Sequence, residues 1–319
     1  KKNHYNLFMS ILFHCTWHDS NEWLQKFKKR FKGNKIYTLK NKPDLSKIES
    51  AFIWELNNNI LKQMNNVKVL FSLGAGVDHI LSLKNYRGQS VVRLKDPLMA
   101  ERMANHILSQ ILFYQLNLKF YQRAQQKNKW ITKFHQSELN NSLTIGILGV
   151  GYLGSFVGKQ LQKNGYNVIG FKNSKPKKKY PFSIFYKKNN LKKFLHQSDV
   201  VACILPFTSD TYHMINKNFL QAMKKKVLLI NVGRGSTLCE KELIAHLRKN
   251  KNFFVSLDVF ETEPLTKISP LWKIPNVTIT PHIASITLID SAVEYIYKKY
   301  RQYKKNGKIK SDVNLIKGY

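Results

Sequence analysis

The sequence predicts an α/β protein built on two parallel sheets. Three observations carry that prediction. Short apolar runs alternate with helical patterns in both halves of the 319-residue chain. A continuous apolar strand, Leu143–Leu148, runs straight into a glycine turn, and further apolar strands with helices between them follow it. Alternation of this kind calls for parallel strands whose crossover helices pack on the sheet faces.

Element by element, Leu7–His14 reads as a first buried strand, and Asn21–Phe31 as a helix with Asp19 or Ser20 available as cap. Lys35–Leu39 and Ser50–Trp54 read as strands, Asn59–Met64 as a helix and Val67–Leu73 as a strand. Pro97–Tyr121 is one long helical pattern, with Met103, Ile107, Ile111, Leu112, Leu116 and Leu118 forming an apolar face too wide for one thin stripe. The second alternating region has strands at Leu143–Leu148, Asn167–Phe171, Asp199–Leu205, Val227–Val232, Phe253–Val259 and Val277–Thr280. Its helices fall at Ser155–Asn164, Leu191–Gln197, Lys217–Met223 and Glu240–Lys249, with a basic loop at Lys172–Tyr180 and a helical tail at Ser285–Lys304.

Composition narrows the function classes. Hydrophobic residues make up 43%, which suits packed cores, and no run approaches a membrane span. Lys1–Trp17 lacks the long apolar stretch and the small-residue cleavage site of a secretory leader. The formal net charge of +34 would suit a nucleic-acid binder, but the lysines are spread along the chain beside asparagines, as in Lys187–Asn190. We therefore expect no nucleic-acid partner and no membrane partner. The field instead favours encounter with anionic ligands. Cys15, Cys203 and Cys239 form no CxxC pair, which fits a reducing, cytoplasmic setting. His14 and His18 straddle a strand end, so no metal site is expected there.

Gly149-Val150-Gly151-Tyr152-Leu153-Gly154 fits GxGxxG in the context that gives the pattern meaning, between a buried strand and a helix. The first glycine permits the turn, the second lets backbone approach a pyrophosphate, and the third lets helix pack on strand. A dinucleotide is the expected cofactor. After the next strand, where a ribose-binding Asp or Glu would select NAD, the chain reads Phe171-Lys172-Asn173-Ser174-Lys175. The missing acid favours NADP(H), with NAD(H) possible. Lys172, Ser174 and Lys175, with Lys177 beyond, are the candidates for a 2′-phosphate.

Three polar residues stand at successive strand ends: Arg234 in Asn231–Gly235, Glu263 in Asp258–Leu265 and His282 in Thr280–Ala284. In open α/β sheets, ligands bind outside the carboxyl ends of strands. A guanidinium can clasp a carboxylate, a histidine can protonate a carbonyl oxygen as hydride arrives, and a carboxylate can orient that histidine. The set points to reduction of a small 2-keto acid to the 2-hydroxy acid.

The segments Leu73–Asp78, Gly149–Gly154, Asn231–Gly235, Leu257–Leu265 and Pro281–Ser285 resemble the D-isomer-specific 2-hydroxyacid dehydrogenase family, and within it the branch of glyoxylate/hydroxypyruvate reductase A. The resemblance implies two Rossmann-like doubly wound domains with a cleft between them. Residues 1–95 plus 287–319 would be the substrate (catalytic) domain and 96–286 the NAD(P)-binding domain. It implies Arg234, Glu263 and His282 as catalytic residues, with Trp54, Leu73, Gly74, Ala75 and Gly76 joining Arg234 and His282 around the substrate. Cofactor contacts are implied at Gly149, Gly151, Tyr152, Leu153, Gly154, Lys172, Asn173, Ser174, Lys175, Leu205, Pro206, Thr211, Val232, Gly233, Arg234, Asp258 and His282, with Asp258 holding the nicotinamide amide. It also implies a homodimer formed through the cofactor domain and its long helix. Asn173 and Lys175 stand where the reductase branch carries arginines, Asn105 where the wider family has glutamate, and Leu315 where an arginine is expected. The alternatives are an NAD-dependent D-2-hydroxyacid dehydrogenase of another substrate, such as glycerate or lactate, and a non-catalytic cofactor-sensing binding protein.

Overall fold

Every strand pair among the described residues is parallel, as the alternation requires. The computed structural model describes residues 10–132 and 137–314, together with Gly318. The chain divides into two units, one running to Leu98 and resuming at Thr287, the other spanning Met99–Ile286.

The smaller unit contains β1 (Ser10–His14), α1 (Ser20–Arg30), β2 (Lys35–Tyr37), β3 (Ser50–Ile53), α2 (Asn58–Gln63), β4 (Val69–Ser72), α3 (Asp78–Leu81), β5 (Ser90–Val92) and the terminal helix Ile289–Asn306. Its sheet runs β2-β1-β3-β4-β5. β3 and β4 are buried throughout, which is why both read as unbroken apolar runs rather than alternating ones. Aromatic residues fill one face: Phe27 stacks on Phe31 at 3.9 Å and Phe52 on Phe71 at 4.4 Å. The terminal helix buries Ile296, Tyr300 and Tyr303, and meets α1 through Lys26–Asp290 and Arg30–Glu294, both 2.6 Å. Those pairs are exposed and screened by solvent, so burial of large apolar side chains, roughly 1.5–3 kcal/mol each, is what seats the helix. Of the expected first strand, Leu7–Met9 lie outside the described residues, as do Leu315, Lys317 and Tyr319.

The larger unit holds α4 (Pro97–Gln115), α5 (Leu118–Gln126), β6 (Thr144–Leu148), α6 (Tyr152–Lys163), β7 (Asn167–Lys172), β8 (Ser183–Tyr186), α7 (Leu191–Gln197), β9 (Val200–Cys203), α8 (Lys217–Ala222), β10 (Val227–Asn231), α9 (Glu240–Lys249), β11 (Phe253–Leu257) and β12 (Val277–Ile279). The order is β12-β11-β10-β9-β6-β7-β8. Strand order therefore reverses between β6 and β9, the switch point where open sheets bind ligands. Each face has its own core, and alternate residues of a strand serve opposite faces: Val227 and Leu229 pack with Phe194 and Leu243, Leu228 and Ile230 with Ile107 and Val157.

Three differences from the sequence reading have physical causes. The single helix expected over Pro97–Tyr121 is two, because Asn117 takes a left-handed backbone (φ +53), a conformation asparagine tolerates better than most residues. The break leaves Leu116 and Leu118 exposed instead of on a buried face. β5 and β8 were not expected: β5 has three residues, and β8 pairs with β7 alone at the sheet edge, half-buried, with an apolar run of only Ile184, Phe185 and Tyr186. α6 starts three residues before the expected Ser155, directly on the glycine turn.

Candidate active site

The glycine turn lies at the switch point, where Gly149 donates from N–H to Phe171 O (3.0 Å) and Ile204 to Leu148 O (2.8 Å). Gly149 has φ +104, and a Cβ there would also press on Ile204 backbone at 3.0 Å, so only glycine suits. A Cβ on Gly154 would lie 2.1 Å from Gly149 O, so the third glycine is what lets α6 approach β6. A Cβ on Gly151 would meet nothing within 4 Å. Gly151 caps a twelve-residue helix, so the positive end of a helix dipole lies beside that open space. This arrangement fits a pyrophosphate. Tyr152 is exposed, Leu153 half-buried, and Ser155 donates back to Gly151 O at 2.6 Å, steadying the first turn.

β7 ends on Lys172. Its ammonium lies 3.5 Å from Tyr180 Oη, which in turn reaches Val150 O at 3.5 Å, so the basic loop leans on the glycine turn through one aromatic residue. Lys178 Nζ sits 5.2 Å from the Tyr180 ring centre. Asn173 accepts from Lys187 N–H at 3.3 Å, while Ser174 and Lys175 follow it in the loop. Leu205 and Pro206 follow β9, and the Thr211 hydroxyl donates to Pro206 O at 2.7 Å, closing the turn below them.

The strand ends beyond β10, β11 and β12 carry the titratable residues. Arg234 follows β10, and the strand end beneath it is tied by two fully buried polar residues. Asn231 accepts from Gly233 N–H (3.3 Å) and donates to Arg234 O (3.3 Å), and the Thr237 hydroxyl donates to Arg234 O (2.7 Å). The Arg234 guanidinium donates to Gly233 O at 3.1 Å, and Val232 is buried beneath it. Glu263 accepts from Phe260 N–H (2.9 Å) through one oxygen, and its other oxygen lies 2.7 Å from His282 Nδ1. Burial pushes the Glu263 carboxyl up, but hydrogen bonds from His282 and Phe260 and the charges of His282 and Arg234 outweigh it and hold it below the ordinary carboxylate range. An ionised carboxylate only accepts, so Nδ1 carries a proton and Nε2 is left as the working nitrogen.

His282 has φ +54 and is held there by its own N–H to Asp258 O at 2.8 Å. Asp258 is 1% exposed, and its carboxylate accepts from Thr280 Oγ1 (2.6 Å), Ile283 N–H (2.9 Å) and Ala284 N–H (2.9 Å). It was expected to hold the nicotinamide amide. Its oxygens in this structure fasten the loop that bears His282. His106 on α4, whose Nε2 is buried without a partner, lies near enough to feel the Asp258 charge, although burial dominates and lowers its pKa.

In the smaller unit, the Leu73–Gly76 turn follows β4. Ser72, buried, accepts from Gly74 N–H (3.3 Å), donates to Gly76 O (2.8 Å) and lies 3.2 Å from His79 Nε2. Leu73 is buried, and Ala75 lies between the two tied glycines. Trp54 covers Gly74 so closely that a Cβ there would stand 2.6 Å from the indole, and the same ring packs on Trp17 (4.7 Å) and His79 (4.3 Å). Asn231, Thr237, Thr280 and Ser72, and the loop-fastening hydrogen bonds of buried Asp258, were not anticipated from the sequence. Each is a polar residue inside or beside a strand that otherwise reads as core, which is the signal available for it.

Residues 108–284 match the family model described as D-isomer specific 2-hydroxyacid dehydrogenase, NAD binding domain. Among solved structures, the chain superposes on a D-isomer specific 2-hydroxyacid dehydrogenase from Xanthobacter autotrophicus Py2 in complex with NADPH and MES, with TM-score 0.90 and 28% identity over 98% of this chain and 99% of that one. It matches the NADPH-dependent glyoxylate/hydroxypyruvate reductase from Sinorhizobium meliloti, in complex with NADP and sulfate, at TM-score 0.90 and 26% identity over 98% and 100%. A probable 2-hydroxyacid dehydrogenase from Rhizobium etli CFN 42, in complex with NADP, HEPES and L(+)-tartaric acid, matches at 0.89 and 25% over the same shares.

Proposed function

Because this chain belongs to the D-isomer specific 2-hydroxyacid dehydrogenase family and so is an NAD(P)-dependent oxidoreductase of CH–OH groups, we propose that it reduces glyoxylate or hydroxypyruvate to glycolate or glycerate with NADPH. The observation that carries the reading is the 2.7 Å pairing of His282 Nδ1 with Glu263, beside the charge of Arg234. The bound dinucleotide supplies the hydride. Gly149, Gly151 and Gly154 shape its pyrophosphate seat, and Lys172, Ser174 and Lys175 suit a 2′-phosphate in the absence of any acid at the end of β7. NADP in the Rhizobium and Sinorhizobium structures, and NADPH in that from Xanthobacter, support the same choice, with NADH possible.

In the proposed chemistry, Arg234 pairs with the substrate carboxylate and the adjacent keto oxygen. His282 gives its Nε2 proton to that oxygen as negative charge develops on it. Glu263 stabilises the imidazolium before transfer and fixes the tautomer after it. Asn231 and Thr237 fix the Arg234 backbone carbonyl and the guanidinium donates to Gly233 O, so the arginine is positioned before substrate arrives. The amides of the Leu73–Gly76 turn are proposed as further carboxylate donors and Trp54 as a pocket wall. We assign cofactor binding to residues 96–286 and the substrate role to residues 1–95 with 287–319.

We further propose a homodimer through α4 and α5, supported by exposed Leu116 (42%), Leu118 (39%) and Phe120 (41%). The proposed setting is the cytoplasm, whose reducing conditions suit free Cys15, Cys203 and Cys239. No helix among the described residues is long and apolar enough to cross a membrane.

The test is a matrix of glyoxylate, hydroxypyruvate and pyruvate against NADPH and NADH, read by the loss of nicotinamide absorbance. The expected result is the highest kcat/KM with NADPH and one of the first two acids. Turnover of pyruvate with NADH above both would overturn the substrate and cofactor choice. NAD(H) binding without turnover of any of them would support a cofactor-sensing role instead.

A further inference from the structure

Three metal-ligating side chains meet in the larger unit outside the set described above. His213 lies in the turn between β9 and α8, Cys239 caps α9, and Glu261 follows β11. A nitrogen, a sulfur and an oxygen from these residues all lie within 4.8 Å of one another. We propose that His213, Cys239 and Glu261 form a site for one divalent cation of the zinc type.

The donor set chooses the ion. Imidazole nitrogen, thiolate sulfur and carboxylate oxygen together suit borderline-soft cations, whereas calcium and magnesium take oxygen donors. Charge balances as well: on binding, the Cys239 thiol gives up its proton, and one thiolate plus one carboxylate neutralise a dication. In a tetrahedral zinc site the donor atoms stand about 3.3–3.6 Å apart, so the longer separations close by up to roughly 1 Å while the His213–Glu261 pair, at 2.7 Å, opens. Glu261, whose side chain is 35% exposed, has room to make that move. Three protein ligands leave a fourth position for water.

The backbone fixes two of the donors toward each other. His213, at φ +46, donates its N–H to Ser236 O (2.9 Å), Ile215 donates to Thr237 O (2.9 Å), and Cys239 donates to Ile215 O (3.1 Å), so the His213 turn and the start of α9 run as one short parallel bridge. Glu261 N–H donates to the Glu240 carboxylate (2.8 Å), and Glu240 N–H to that of Glu261 (3.3 Å). His213 Nε2 lies 2.7 Å from Glu261 Oε1. A hydrogen-bonded His–Glu pair accounts for two of the three residues. The thiol beside both, and a second carboxylate behind them, are what make a ligand set. In a chain with 53 Lys and Arg against 19 Asp and Glu, Glu240 and Glu261 stand side by side with no lysine or arginine partner among the described residues. No short spacing announces the site, since the residues come from three separate loops.

The experiment titrates the purified, metal-free full chain with Co²⁺. The expected result is a thiolate-to-cobalt charge-transfer band in the near ultraviolet, saturating at one Co²⁺ per chain and displaced by Zn²⁺. The band is expected to vanish in Cys239→Ser and to persist in His282→Asn, which leaves the set intact. Zn²⁺ is expected to raise the thermal midpoint of the natural chain and not that of Cys239→Ser. Absence of the band, or its persistence in Cys239→Ser, overturns the proposal. Should Cys239→Ser not fold, His213→Gln carries the test. Its Co²⁺ affinity is expected to fall by more than the ~10–100-fold that outer-shell changes cost, and affinity within twofold of the natural chain refutes the site.

Discussion

The loop that carries His282 and the loop that follows β7 are ends of strands in one sheet, yet they are held in opposite ways. Around His282, a buried carboxylate takes three donors at 2.6–2.9 Å, the backbone is pinned at φ +54, and Glu263 sits 2.7 Å from the ring. After β7, the side-chain contacts are 3.5 Å long and a lysine floats 5.2 Å over an aromatic ring. Proton transfer fails with an ångström of misplacement, so its donor needs short, buried bonds. Attraction of a phosphate falls off over a Debye length, about 8–10 Å at ordinary salt, so a loosely held set of lysines suffices. On the proposed reading, the acid depends on rigidity and the cofactor choice on charge alone.

The largest expected effect lies at the rigid end. His282→Ala is expected to lower kcat by about 10²–10⁴-fold while NADPH affinity, read by fluorescence titration, stays within twofold. Unchanged turnover would remove His282 as the acid. Next comes its support. Asp258→Ala strands three donors at about 1–3 kcal/mol each before relaxation, so urea unfolding should show a loss of several kcal/mol together with lower kcat. A loss of activity with stability intact would mean that Asp258 serves a ligand rather than the loop.

At the loose end effects are smaller. Lys172→Asp is expected to shift the NADPH/NADH ratio of kcat/KM about tenfold toward NADH, the scale of one exposed charge-assisted contact. No shift would mean that the 2′-phosphate is read elsewhere. The smallest effects are in pH. Glu263 is depressed in the folded state, so its contribution to stability is full above the unfolded carboxylate value near 4.3 and fades as pH falls through the lower folded value. Glu263→Gln should flatten that acid limb. Lys119 gives the same sign of pH dependence in an alkaline window. Burial, then the charge of Arg123, lowers its pKa from 10.5 to about 8. The folded state thus holds fewer protons between those values, and stability gains from this group as pH rises from about 8 to 10.5. Lys119→Met should lose that rise in chemical denaturation series.

The parts of this molecule legible in sequence are those where one physical demand dominates. Buried central strands such as Val227–Asn231 need unbroken apolar runs, and the glycine turn needs its three glycines at fixed places, so both can be read directly. The catalytic candidates were readable because Arg234, Glu263 and His282 each follow a strand. Their supports were not, because a buried Asn231 or Thr237 differs from a surface one only in its partners. The edge strand β8 and the break at Asn117 depend on tertiary context: one on pairing with β7, the other on a single backbone dihedral. The His213–Cys239–Glu261 cluster is invisible along the chain for the same reason, since three loops create it.

The placement of β9 beside β6 has a kinetic meaning. Ile145 pairs with Val200 across more than fifty residues, and every neighbouring strand pair in the larger unit is likewise joined through intervening chain rather than a tight hairpin. No local nucleus can zip this sheet. Closure of long loops must precede its reward, so refolding is expected in the slow, high-contact-order regime, with the switch point that later seats a ligand among the last features to assemble.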